Sequence, residues 1–365
     1  MIAEFTDRYE RRHDHARAYK KEGKKIIACF YGAVPKELIY AAGMIPIQLI
    51  EDRNSQYEQK SNYLPYLCGL SKNIAGQIYD NVFDYVDGVM VSTVCDTNRH
   101  VYDIWKHEKL FAHHWLVRAP STISEASMTF FTKELHRLAD ELGQLSGQKV
   151  TEETLQESIT LHNENRVLFQ EFYDARLKSD ISGEDALQVF ASALVTPVDE
   201  HNAMMKKLLS SLAPSSGGDQ ETKLMLCALN FNMSLDIIKM VDRYGGKVVT
   251  DDFTHNARYG SNMIEANGDP FRALAKGYLR KIPVPGVFSI EDRAIYIREL
   301  MKKADAKGMI YLIQLYCDAY SLEYGVLKPR FDEWNLPHLK IEAEDTPSSI
   351  EQLNVRVQSF LESLF

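Results

Sequence analysis

Apolar residues along this chain come in two rhythms. Short, largely unbroken runs, "IIACF" (Ile26 to Phe30), the segment from Val86 to Ser92, and "AHHWLVRAP", ending in Pro120, read as strands of a sheet. Each of the first two is followed by a turn and a stretch with helical spacing. Pro35 stands at a plausible first helical position with a stop near Gly43, and Asn98 to Lys106 continues as a helix after the second run. Such alternation predicts a parallel sheet with helices on both faces. From Ser124 to Ser211 the rhythm changes. "EASMTFFTKELHRLADELGQL" and the stretch after Thr151 repeat apolar residues at three- and four-residue intervals, predicting a connector of long helices. "LAPSSGGDQETK" is a polar, Gly- and Ser-rich linker, after which the α/β alternation resumes. "KLMLCALNF", "KVVTDDF", "KGMIYLIQLYCD" and "HLKIEAED" read as strands. "SLDIIKMVDRYGG", "DPFRALAKGYL" and the final "SSIEQLNVRVQSFLESLF" read as helices. The expected organisation is therefore an N-terminal α/β domain over 1–123, a helical connector over 124–211, a linker over 212–223 and a C-terminal α/β domain over 224–365.

Composition narrows the function classes. With 365 residues, 45% of them hydrophobic, the chain is long enough for two buried cores. A formal net charge of -9 disfavours nucleic acid as a partner, because phosphate backbones demand clustered Lys and Arg. The charged start "MIAEFTDRYERRHDHARAYKKEGKK" lacks the apolar core of a secretory signal, and no apolar run approaches the roughly 20 residues of a bilayer span. Cytoplasmic residence without membrane attachment is expected, and there cysteines remain reduced.

Five cysteines then need a role. Cys29 and Cys227 fall inside strand runs, where a small buried thiol is the ordinary occupant. Cys95 and Cys317 directly follow strand-like runs, each succeeded by Asp, so the two halves present matching thiol-bearing loops where open parallel sheets gather ligands. Cys68 precedes another helix. Helix N-termini favour thiolates, the metal-binding form, so lowered thiol pKa values are expected at all three. Their spacing leaves three readings open: buried thiols, a zinc site completed by His, or an iron–sulfur cluster with one iron lacking a protein thiolate.

The segments "IIACFYGAVPKELIYAAGMIPIQL", "YLPYLCGLSK", "DYVDGVMVSTVCDTNRHVYDIWK", "LHNENR" and "YCDAYSLEYGVLK" together resemble the benzoyl-CoA reductase and 2-hydroxyacyl-CoA dehydratase family, and within it the smaller catalytic subunits of benzoyl-CoA reductases. The resemblance implies two Rossmann-like domains with a 4Fe-4S cluster at their junction, held by Cys68, Cys95 and Cys317, or a double-cubane variant of that cluster. It also implies a homologous larger subunit, an ATP-hydrolysing activator that delivers electrons, and an acyl-CoA substrate. The implied activity is oxidoreductase chemistry, one-electron reduction of an aromatic acyl-CoA ring as in anaerobic aromatic degradation. The alternatives are a 2-hydroxyacyl-CoA dehydratase subunit, a lyase working through a ketyl radical, and a non-catalytic electron-relay partner.

Some positions depart from the family or stay outside it. Where relatives carry Cys or Ser in the turn before the "PEE"-type motif, this chain has Tyr31 and Gly32. Glu51 stands near the position of an acid in a dehydratase relative, but from its own sequence context it reads as a solvated loop carboxylate. Asp251 and Asp252 read as helix-capping residues. The histidine pairs His13/His15 and His113/His114 are expected on the surface or in the core rather than as chelates. The glycines of "RYGGK" make no G-x-G-x-x-G dinucleotide fingerprint.

Overall fold

A computed structural model describes residues 2–52, 66–214, 221–265, 267–281 and 289–364. Among these, eight strands form two four-stranded, all-parallel sheets of the same order. The first contains β1 (Ile26–Cys29), β2 (Ile45–Gln48), β3 (Gly88–Ser92) and β4 (His113–Val117), ordered β2-β1-β3-β4. The second contains β5 (Thr222–Cys227), β6 (Gly246–Asp251), β7 (Gly308–Gln314) and β8 (His338–Ala343), ordered β6-β5-β7-β8. The α/β class with two Rossmann-like sheets is thus the observed one. Continuous apolar runs form these strands because helices cover both faces: β1, β3, β5 and β7 are buried throughout, apart from Lys223 near the start of β5.

Several boundaries differ from the sequence reading. β2 is hidden in the sequence because Pro46 interrupts its run. As an edge strand beside β1 alone, β2 tolerates a residue without a backbone N–H. Pro35 is the residue before the helix Lys36–Ala41 rather than its first. β3 starts at Gly88, where a Cβ would meet Trp115 at 2.5 Å, so only glycine lets β3 lie so close to β4. The linker yields its last two residues, 222 and 223, to β5, and residues 215–220 of it lie outside the described set.

The long helices expected between the halves pack on both. Glu125–Ser146 lays Phe131, Leu135, Leu138 and Leu142 on the first sheet, in one core with Ile27, Cys29 and Met90. Gly183–Ser192 joins Leu187 and Ala191 to the second sheet's core with Leu224 and Leu226. Between them runs Glu152–Arg176, opened by a capping box at Thr151. It carries "LHNENR". Its Arg166 makes a buried ion pair with Glu37, and Asn163 donates to the carbonyl of Ile264 at 2.8 Å while accepting from its amide at 3.1 Å. Asn165 donates to Asn202 Oδ1 at 2.7 Å. The "VPKE" turn, the long helix and the loop before Pro270–Arg280 are thereby locked together.

Burial also sets an acid limit on stability. His201, 1% exposed, and His13 are held neutral by desolvation, which pushes each imidazole down to about 4. Unfolded histidines titrate near 6.5, so the unfolded chain binds more protons between those values. Stability is complete above about pH 6.5 and falls as pH drops toward 4, by up to about 3 kcal/mol for each group. Urea midpoints at pH 7.0 and 4.5 check this: the midpoint falls markedly in the wild type and less in His201→Gln measured against its own pH 7 value.

Candidate functional site

In a β2-β1-β3-β4 sheet the chain leaves β1 and β3 in opposite directions, opening a crevice at their carboxyl ends. The second sheet repeats this between β5 and β7. The two crevices share one cavity of about 370 Å³, with Cys68, Cys95 and Cys317 on its wall. Residues following β1 (Phe30, Tyr31, Gly32), β3 (Val94), β5 (Leu229) and β7 (Tyr316) complete its floor. The three thiols that the sequence singled out are therefore together, whereas Cys29 and Cys227 are wholly buried in the sheet cores.

All three stand in the same local setting. Cys68, Cys95 and Cys317 are the residues immediately preceding the helices Gly69–Tyr79, Asp96–His107 and Asp318–Glu333, and none spends its side chain on capping. Neighbours steady two of the sulfurs instead. Cys68 Sγ lies 3.3 Å from Ser71 Oγ, and Cys95 Sγ donates to Asn98 Oδ1 at 3.4 Å. Asn98 is the pin of this region: its amide donates to the carbonyls of Tyr31 at 2.6 Å and Ser92 at 3.0 Å, tying the turn after β1 to the thiol after β3. Tyr316 adopts φ 63°, a left-handed conformation costly for an aromatic residue, one step before Cys317. Lys72, from the helix that follows Cys68, lies over its ring at 5.2 Å.

Gly32 is needed where it is. Its φ is 124°, and a Cβ would stand 2.0 Å from Ser92 Oγ, which in turn accepts from the amide of Ala33. Gly32→Ala is expected to cost about 2–4 kcal/mol through strain and displacement of Ser92, read as a lowered denaturant midpoint.

The thiols are protonated as free groups. Burial pushes Cys95 up to about 11 and raises Cys68 and Cys317 as well, with the other two sulfurs adding to the rise at Cys317. The expectation of thiol pKa values lowered by helix N-termini is thus reversed, because desolvation of the thiolate outweighs the partial charge of a helix end. Among the described residues no group of three or more His, Cys, Asp or Glu is arranged to hold a single metal ion. The sulfurs line a space without converging on one point.

Two other readings are corrected by the structure. Glu51 is not a solvated loop carboxylate: it is 2% exposed and accepts from the amides of Phe231 at 2.5 Å and Asn232 at 3.1 Å, holding the first turn of Phe231–Arg243 from across the seam. Tyr31, on the cavity wall, donates its hydroxyl to Glu51 Oε2 at 3.2 Å, and burial raises the Glu51 carboxyl above its ordinary range. Nor do Asp251 and Asp252 cap helices. Asp251 accepts from Phe253 N two residues on and from Tyr173, while Asp252 is fully buried between Arg293 at 2.6 Å and Arg258 at 3.1 Å. Their sequence signal, two acids at a strand end, does not distinguish a cap from a buried ion network whose arginines lie 6 and 41 residues downstream. His113 and His114 point to opposite faces, one stacked on Trp115 and the other bonded to the Trp105 carbonyl. Sequence reasoning does not find Asn98, Ser92 or Thr254, the last also on the cavity wall, although Asn three residues beyond Cys95 at a helix start is a usable signal.

Residues 31–364 match the family described as 2-hydroxyglutaryl-CoA dehydratase, D-component. Among curated relatives, the chain is 26% identical to a benzoyl-CoA reductase subunit of Thauera aromatica, over 96% of this chain and 94% of that one. It is 23% identical to the (R)-phenyllactyl-CoA dehydratase beta subunit of Clostridium sporogenes, over 100% and 96%. It is 25% identical to the beta subunit of (R)-2-hydroxyglutaryl-CoA dehydratase of Acidaminococcus fermentans, over 95% and 94%.

Proposed function

The chain belongs to the 2-hydroxyglutaryl-CoA dehydratase D-component family, and from that premise we propose that it is the iron–sulfur subunit of an ATP-driven, benzoyl-CoA reductase-like enzyme. Its reaction is one-electron reduction of the ring of an aromatic acyl-CoA thioester. The observation that carries this reading is the single cavity wall on which Cys68, Cys95 and Cys317 stand. The donor set fits a cluster better than one ion: three thiolates spread around a space suit several irons, and the mutual repulsion of buried sulfurs calls for a cationic core to offset it. When bound, a 4Fe-4S or double-cubane cluster supplies low-potential electrons singly.

The chain's own residues do the rest. Phe30, Leu70, Val94 and Leu229 give the cavity an apolar side. Three helix N-termini direct partial positive charge toward the sulfurs. Burial raises the Glu51 carboxyl, and the Tyr31 hydroxyl donates to its Oε2 from the cavity wall, which places a buried acid one hydrogen bond from the cavity. A homologous larger subunit and an ATP-hydrolysing activator complete the assembly, in the cytoplasm. Among the described residues no helix is long and apolar enough to cross a membrane.

The second reading, a 2-hydroxyacyl-CoA dehydratase subunit, is favoured by the nearly equal likeness to two dehydratase beta subunits. Anaerobically purified protein, combined with its partner and activator, is offered benzoyl-CoA and a 2-hydroxyacyl-CoA. Ring reduction supports the first reading, and turnover of the hydroxyacyl thioester alone refutes it.

A further inference from the structure

A second cavity, of about 90 Å³, adjoins the first; Gly32 and Thr254 belong to the walls of both. Its polar lining is unlike that of a structural void. Gln48 Nε2 and Thr196 Oγ1, on residues 3% and 4% exposed, and His255 Nε2 are buried without a hydrogen-bond partner. Leaving such groups unsatisfied costs about 1–3 kcal/mol each, so the cavity is built to present them to an occupant.

Its charge says what kind. Four cationic side chains, Lys36, Arg166, Arg258 and Lys281, line it against one carboxylate, Glu37. The arginines are already engaged, Arg166 by Glu37 and Arg258 by Asp252. The ammonium groups of Lys36 and Lys281 have no carboxylate bonded to them among the described residues. Lys281 instead lies over the Tyr278 ring at 5.1 Å. The surplus positive field is felt by His255, whose imidazole is held neutral by burial and by Lys36, Lys281 and Arg258. In a chain of net charge -9 this is a local inversion of sign. Phe169, Leu194 and Val34 supply an apolar side to the same space. Two ammonium groups, an amide donor and a hydroxyl facing an apolar wall suit a carboxylate carried on a short hydrocarbon chain. A phosphate would find both guanidinium forks occupied.

We infer that this cavity binds the carboxylate of a small organic acid, through Lys36, Lys281, Gln48 and Thr196. The carboxylate arrives either as a free acid or as the far end of an acyl chain whose thioester occupies the thiol cavity. The second source rests on the dehydratase reading above, since the ring of benzoyl-CoA carries no distal carboxylate; the first does not.

The test is isothermal titration of the full chain with glutarate, glutaryl-CoA and pentanoyl-CoA, the last lacking the distal carboxylate. Lys36→Met and Lys281→Met remove the charges, Lys36→Arg restores one, and circular dichroism checks each fold. Glutarate binding that weakens at least about tenfold in both Met variants supports the inference with a free acid as ligand. A preference of at least about tenfold for glutaryl-CoA over pentanoyl-CoA, lost in the same variants and kept in Lys36→Arg, supports it with the acyl chain as ligand. Absence of glutarate binding together with equal affinity for the two thioesters overturns it, as does carboxylate binding indifferent to both lysines in folded protein. Iron and sulfide assayed on the same preparations separate the two claims: iron without carboxylate recognition sinks this inference alone, and recognition without iron sinks the cluster alone.

Discussion

Cys68→Ser, Cys95→Ser and Cys317→Ser, each made singly, are expected to lower iron and acid-labile sulfide retained after anaerobic reconstitution to roughly a tenth of the wild-type content or less. The expectation follows from position. The three sulfurs stand on one cavity wall, each at the start of a different helix, and no described residue nearby offers a replacement thiol. Serine keeps the size and loses the soft ligand. Because none of the three thiols caps its helix, the fold should survive, and thermal midpoints should move by only a few degrees. Cys29→Ser and Cys227→Ser behave in the opposite way. Both sulfurs are fully buried in sheet cores away from the cavity, so a hydroxyl there costs about 1–3 kcal/mol while iron content is kept. Colorimetric iron and sulfide assays beside thermal melts separate the two groups.

The largest stability effect is expected at Arg166. Its guanidinium, 2% exposed, meets the 1% exposed Glu37 carboxylate, which also accepts from the Tyr278 hydroxyl at 2.8 Å. Arg166 holds that carboxyl at about 2 despite its burial. Arg166→Met leaves a buried charge alone and should cost about 3–5 kcal/mol in urea unfolding at pH 7. Adding Glu37→Gln removes the orphaned charge, so the double variant should be more stable than Arg166→Met. Equal losses for the two would mean that the pair is not coupled as the geometry requires.

Much of this is legible in the chain itself. Strand-like segments locate seven of the eight strands, most plainly β1, β3, β5 and β7, because strands covered on both faces leave so plain an apolar pattern. β2 is obscured by Pro46, whose tolerance depends on edge position, a property of the assembled sheet. The thiols at 68, 95 and 317 stand out because strand ends and helix starts can be read locally. Their pKa direction cannot be, since burial is set by both halves closing over them. Glu51 and Asp252 mislead for the same reason: their partners Phe231, Arg258 and Arg293 come from other segments, and a carboxylate's sequence neighbours do not tell whether it ends in water or beneath a helix.

Anomalous scattering at the iron edge, from crystals of the complex grown without oxygen, addresses the central claim most directly. The predicted result is iron density within the cavity, bonded to the sulfurs of Cys68, Cys95 and Cys317. Density bonded elsewhere, or a zinc edge in place of iron, would contradict it.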